Sequence, residues 1–383
     1  MPRFIILDGT TIRENHNGEE ERPKKRQRID DDEPTKLQGS APSRDSIYYF
    51  DSVAREKACV IQVEQTLFQI SEDLFPLGST IRSELQQYKS DGKRTSDKEP
   101  LLLLSASADG FRALLWALSI PSKDIDGQLE PTEEAQIHPL LALATITHTY
   151  RFTTLRDQAL SAIERAFSDL ILAETCPSTT FAAIIEISVK MNAPKLQKVV
   201  MEKWVSRLKR REIPALPAIA AADESGLRQL RGIAYYVHAQ ELLSRHPHVA
   251  GANVAQLFAK SQLNTTQTVC FLAGCMSLVT FWERLQRTPP KLPCLAGCGP
   301  AAHRACVVTW NEQWHHAATS KKTLRHGSTD ILAILNTVRE QLTADQELVE
   351  KVTPACRKGG LDALGKTAAD LLQDLPNYFP AYT

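Results

Sequence analysis

The sequence predicts an α+β unit, a small sheet with surrounding helices, followed by an all-helical region. Three observations carry this prediction. Apolar and polar residues alternate on both sides of Gln65, the period-two mark of half-buried strands. Between Phe111 and Phe167 the apolar positions move to a three-to-four spacing, which lines one face of a helix. Beyond Phe167 helical patterns continue without a strand pattern, punctuated by Pro194, Pro214, Pro217, Pro247 and the pair Pro289-Pro290.

Residues 1–46 are rich in charge, Pro and Ser and hold almost no apolar periodicity, so a disordered tail is expected there. The α+β domain is expected over 47–170 and the helical region over 171–383. In the first, Cys59, Ile61 and Val63 alternate with Val60, Gln62 and Glu64, and Phe68 and Ile70 repeat the pattern as the second arm of a hairpin. Leu74, Phe75, Ile81 and Leu85, broken by Pro76 and Gly78, suit two short helices. Leu101 to Ala106 reads as a strand feeding a helix whose N-cap is Asp109 and whose buried face holds Phe111, Leu114, Leu115 and Leu118. Leu140 to Phe152 and Thr153 to Phe167 follow as consecutive helices. The remaining candidates are Phe181 to Val189, Leu196 to Leu208, Ser225 to Leu243, Val254 to Phe258, Thr266 to Arg287, Asp330 to Leu342 and Leu361 to Leu372. Short connections predict antiparallel packing of these helices.

Composition excludes several classes. The 45 basic and 45 acidic residues balance, so no global field draws the chain to nucleic acid or membrane. An apolar fraction of 43% is that of a folded chain. Eight cysteines over 383 residues do not make a disulfide framework, and with no export signal legible they are expected as free thiols. The most apolar stretch, Thr268 to Trp282, is shorter than the roughly 20 residues a bilayer needs, which predicts a buried helix. Asn264-Thr265-Thr266 matches a glycosylation sequon, uninformative without export.

The order of elements resembles the BTB/POZ domain, and more closely the expanded set of BTB proteins in mushroom-forming fungi. The resemblance rests on Tyr48-Tyr49-Phe50-Asp51, the run Val60 to Phe68, Phe111 to Leu118, and Ala144 to Phe152 with Leu155-Arg156. It extends into the helical half through Phe281 to Leu285 with Thr288-Pro289-Pro290, and through Thr353-Pro354-Ala355-Cys356 with Leu361 to Leu364. The resemblance implies a homodimer whose interaction surface includes Leu74, Phe75, Ile81 and Leu85. Ser71 stands where that family usually has His, and Glu56 or Ala58 where it usually has Asp, so the family's charged pocket does not carry over. It further implies a non-catalytic adapter that engages itself or a scaffold through the BTB domain and a target through its helices. Recruitment to a cullin-type ubiquitin ligase and assembly of a nuclear complex are the two routes; Leu85-Gln86-Gln87 offers Gln where cullin binders carry Glu.

Local motifs add three expectations. Lys24, Lys25, Arg26 and Arg28 form a compact basic cluster suited to the acidic groove of a nuclear import receptor, giving a nuclear or nucleocytoplasmic location. Lys203, Arg207, Lys209, Arg210 and Arg211 gather at a helix end beside Trp204, where cations complement the dipole and are expected to be solvated. Cys294, Cys298, His303 and Cys306 have ligand types suited to tetrahedral zinc. The spacing favours the simpler reading without a cofactor, in which the loop cysteines are small apolar residues and Cys306 opens a helix burying Val307, Trp310 and Trp314. The other reading is a zinc-dependent nucleic-acid-binding nuclear protein. No phosphate loop, H-E-x-x-H or G-x-S-x-G motif points to an enzyme.

Overall fold

A computed structural model describes residues 41–50, 57–121, 125–131, 133–245, 261–295 and 297–380. Near the N-terminus four strands form one mixed sheet: β1 (Ser43–Tyr49), β2 (Ala58–Val63), β3 (Thr66–Ser71) and β4 (Leu101–Leu102), in the order β1-β3-β2-β4. β2 and β3 are the expected hairpin, antiparallel with Val63 opposite Thr66. Its turn lacks Gly, and Glu64 supplies the left-handed backbone instead, at φ 54°. The Glu64 carboxylate accepts the Ala108 N–H at 3.1 Å, which ties that strained residue to the helix beyond β4.

Two strands differ from expectation. β1 begins at Ser43, inside the stretch expected to be disordered to Ser46, and pairs in parallel with β3. The run Leu101 to Ala106 pairs with β2 only over Leu101–Leu102, because Leu102 and Leu104 face solvent and only Leu103 is buried. Similarly, the segment after β3 gives one 3-10 turn, Glu72–Leu74, and one helix, α1 (Thr80–Ser90), rather than two helices. Ser71 caps the turn by accepting the Asp73 N–H at 3.4 Å.

α2 (Ala108–Ser119) is capped by Ser107, whose Oγ accepts the Gly110 N–H at 3.1 Å. Asp109 therefore lies inside the helix, not at its cap. α3 (Ile125–Gln128), α4 (Ile137–Thr149) and α5 (Thr153–Ser168) complete the α+β part. Phe68, Phe75, Phe111 and Phe152 meet beneath the sheet, with Phe68 edge-on to Phe111 at 4.8 Å.

The rest of the described chain is helical: α6 (Leu170–Thr175), α7 (Ser178–Lys190), α8 (Pro194–Lys209), α9 (Leu216–Glu224), α10 (Arg228–Arg245), α11 (Thr265–Arg287), α12 (Pro300–Ala318), α13 (Ile331–Ala344), α14 (Gln346–Lys351) and α15 (Pro354–Tyr378). The candidate Val254 to Phe258 lies outside the described residues. α4 packs on α7 and α5 on α8, so the apolar core runs without a break across residue 170. Pro42–Thr383 forms a single compact unit.

α11 corrects a sequence expectation. It runs 23 residues and is long and apolar enough to cross a membrane by length and composition alone, with 33% of that stretch buried. Cys270, Phe271, Leu278 and Trp282 face the core, whereas Val269, Leu272 and Met276 remain exposed. Asn264 caps the helix through the Gln267 N–H at 2.9 Å, a structural use of the sequon asparagine.

Candidate interaction face and cysteine cluster

β1 is an edge strand, and its outer side meets no other strand among the described residues. Its inward-facing side chain is acidic. Asp45 Oδ1 accepts the N–H groups of Ile47 at 3.0 Å and Tyr48 at 2.8 Å, and Arg112 Nε of α2 donates to Oδ2 at 2.7 Å. Burial alone would raise this carboxyl, but the Tyr48 N–H, Arg112 and the Ile47 N–H outweigh it and hold Asp45 below the usual aspartate range. With its charge met there, Arg112 leaves a largely apolar groove of about 740 Å³ between β1, α2 and α4, lined by Ile47, Tyr48, Trp116, Leu140 and Leu143. Ile47 is 61% exposed, Phe50 44% and Trp116 38%.

The surface expected at Leu74, Phe75, Ile81 and Leu85 is not there. Ile81 and Leu85 are fully buried because α1 turns its apolar face into the sheet core, Phe75 is buried against Phe111 and Phe152, and Leu74 of the preceding turn is half-buried. Their burial makes them core residues of this chain. On the turn before α1, the large apolar side chain of Leu77 is left in solvent. Asp45 is a buried carboxylate of the first strand; Ala58 is half-buried at the start of β2, and Glu56 lies outside the described residues.

In the helical half, Cys298, His303 and Cys356 offer ligand atoms that all lie within 4.8 Å of one another. Cys356 Sγ sits 3.6 Å from His303 Nδ1. Pro300 starts α12 and Pro354 starts α15, each fixing the first-turn backbone, so His303 and Cys356 both occupy first turns. Cys298 just precedes α12, and its N–H closes a turn on the Leu295 carbonyl at 3.2 Å, with Gly297 at φ 94°. Cys306, one helical turn after His303, turns its thiol to Thr353, accepting the Thr353 N–H at 3.4 Å. Cys294, by contrast, is exposed, and its thiol reaches only the Cys298 carbonyl, at 3.6 Å.

This differs from the spacing read in the sequence. Two of the four expected residues, Cys298 and His303, gather, and Cys356 joins them from 53 residues beyond His303, while Cys294 and Cys306 stay outside that group. The approach depends on the next turn of α15. A Cβ on Gly359 would sit 2.7 Å from Pro293, and one on Gly360 would sit 2.8 Å from both Leu292 and Trp310. Trp310 is itself fixed through its Nε1–H to the Pro290 carbonyl at 3.2 Å. Burial opposes ionisation of Cys356, but contacts with Thr353, His303, Cys298 and the Leu295 backbone bring its thiol down to about 7. Burial, with the neighbouring thiols of Cys356 and Cys306, pushes Cys298 up to about 11. The two thiols are thus poised oppositely around one imidazole.

The second basic group is only partly solvated: Lys209 is exposed as expected, but its three arginines are paired within the chain. Arg207 is buried and donates to the carbonyls of Ala173 and Cys176, Arg210 pairs with Glu174 and Glu212, and Arg211 pairs with Asp330 at 2.8 Å. Such pairing leaves no extended basic face at this helix end. Val307 is half-buried while Trp310 and Trp314 are fully buried, close to expectation. The basic cluster Lys24, Lys25, Arg26 and Arg28 lies outside the described residues. Compared with family models, curated proteins and solved structures, the chain matches none of them.

Proposed function

We propose that the chain is a non-catalytic protein-interaction adapter of BTB type that pairs with a second copy of itself through β1 and the adjoining groove, while its helical half engages a protein target. One observation carries this reading: an edge strand with exposed Ile47, followed at once by exposed Phe50, borders an apolar groove that ends at Trp116. An edge strand offers unpaired backbone groups as a template for another strand, and aromatic and aliphatic residues beside it give that pairing an apolar contact. A second copy supplies the same strand and the same groove, as a twofold interface requires. This replaces Leu74, Phe75, Ile81 and Leu85 as the self-association surface. The element order, with a hairpin, helix, short parallel strand and helical layer, is compatible with the BTB resemblance.

Sedimentation equilibrium of the full chain tests the reading. Wild type sediments as a dimer, and Ile47→Glu together with Trp116→Glu gives a monomer of unchanged helical content. A wild-type monomer at high micromolar concentration would sink it. Adding the N-terminal domain of a cullin scaffold then separates the two routes: uptake supports a ligase adapter, and its absence supports a nuclear assembly.

A further inference from the structure

We infer that Cys298, His303, Cys306 and Cys356 bind one zinc ion as a structural site that pins the start of α15 to the start of α12. The geometry fits that chemistry. Ligand bonds of roughly 2.3 Å to sulfur and 2.0 Å to nitrogen place a sulfur and a nitrogen of a tetrahedral zinc site about 3.5 Å apart. Cys356 Sγ and His303 Nδ1 are 3.6 Å apart. All three closest ligand atoms fall within 4.8 Å of one another, so one ion can reach each of them after only small side-chain adjustments. Cys306 lies outside that 4.8 Å group, but it is buried, shares a helix face with His303 at i and i+3, and completes the set on loading by a rotation of its side chain away from Thr353.

The surroundings favour thiolates and a closed site. Two long helices, α12 and α15, direct their N-termini at the cluster, and the partial positive charge there stabilises anionic sulfur. Three sulfurs and one imidazole select zinc over harder cations such as magnesium or calcium, which take oxygen ligands. Four protein ligands leave no open position, so the ion is structural rather than catalytic. Loading displaces the thiol protons to solvent.

A Cys–His pair at this distance also suits nucleophilic chemistry, but Cys356 is fully buried. A nucleophile needs access to substrate; a structural ligand does not. The site is independent of the adapter reading, since it lies in the helical half and its test uses no partner protein.

Full-length protein purified under reducing conditions and equilibrated with zinc is expected to hold about one equivalent by elemental analysis. Cys294→Ser keeps that metal, while Cys356→Ser and Cys298→Ser lower zinc affinity by roughly tenfold or more. Because those two variants could unfold, the wild-type chain carries a second readout. Loaded with cobalt(II) in place of zinc, it shows sulfur-to-metal charge transfer and intense visible bands of a tetrahedral thiolate site, both lost on adding excess zinc. Three results would each overturn the inference: wild type without bound metal, a weak octahedral cobalt spectrum, or loss of zinc in Cys294→Ser with retention in Cys356→Ser.

Discussion

Two junctions hold distant segments of this chain together, and they are completed differently. At the first, β1 is joined to α2 by Asp45, which receives two backbone N–H groups and the Arg112 guanidinium. Every strong acceptor need of that carboxylate is met from within the chain. At the second, the start of α15 is joined to the start of α12 by thiols and one imidazole, soft groups whose contacts with one another and with Thr353 are long and weak. A hard charged junction closes with residues alone, whereas a soft cluster of this composition closes best around an ion. Burial makes the contrast sharper, since Cys306 and Cys356 are as deeply buried as the Asp45 side chain.

The largest effect should come from forcing the second junction apart. Gly360→Ala places a methyl group against Trp310, which is fully buried and held by its own hydrogen bond, so the ring has no free direction in which to yield. A loss of about 3 kcal/mol in urea unfolding is expected, the upper part of the usual overpacking range. Metal content should fall with it, because the same displacement carries Cys356 away from His303. A Gly360→Ala protein of wild-type stability would show that α15 does not approach α12 this closely.

The first junction should give a smaller, pH-dependent effect. Asp45→Asn keeps an oxygen for the Ile47 and Tyr48 N–H groups but loses the charge facing Arg112, and about 1–2 kcal/mol is expected. The sign follows from the depressed carboxyl. A group whose folded-state pKa lies below its unfolded value stabilises the fold fully above the unfolded value, and that contribution disappears as pH falls through the folded one. Wild type and Asp45→Asn should therefore differ near neutral pH and converge on acidification below the ordinary aspartate range. A difference that stays constant with pH would mean that the ion pair contributes through shape rather than charge.

Sequence legibility divides along the same line. The hairpin and α2 were readable because their buried residues, Cys59, Ile61, Val63, Phe68, Ile70, Phe111 and Leu114, carry the periodicity of the element they occupy. β1 was not, since it is an edge strand whose most buried position is Asp45, and a polar residue facing inward inverts the pattern. The α1 residues were readable as apolar but not as core or surface, because periodicity does not say what an apolar face meets. Cys298, His303 and Cys306 stood out as neighbours in the chain. Cys356 did not, because its place in the cluster comes from the packing of α15 onto α12. A local signal existed, a Pro at the first helical position followed by Cys within the first turn, as Pro300 is followed by His303. Only a comparison of helix starts, rather than of spacings, would have drawn the two together.

The smallest expected effect is the most discriminating one between spacing and packing. Cys294 belongs to the cluster by sequence, four residues before Cys298, yet it is exposed and contacts only a backbone carbonyl at 3.6 Å. Cys294→Ser should change stability by less than about 0.5 kcal/mol, as surface substitutions away from special features do. Cys356→Ser, at a buried first-turn position against His303, should cost more in zinc-loaded protein than in protein treated with a chelator, because the serine removes a metal ligand only when metal is present. Equal costs for Cys356→Ser with and without chelator would leave the thiol as a packing group. A Cys294→Ser cost that grows with zinc would return the junction to the local Cys294 spacing and detach α15 from it.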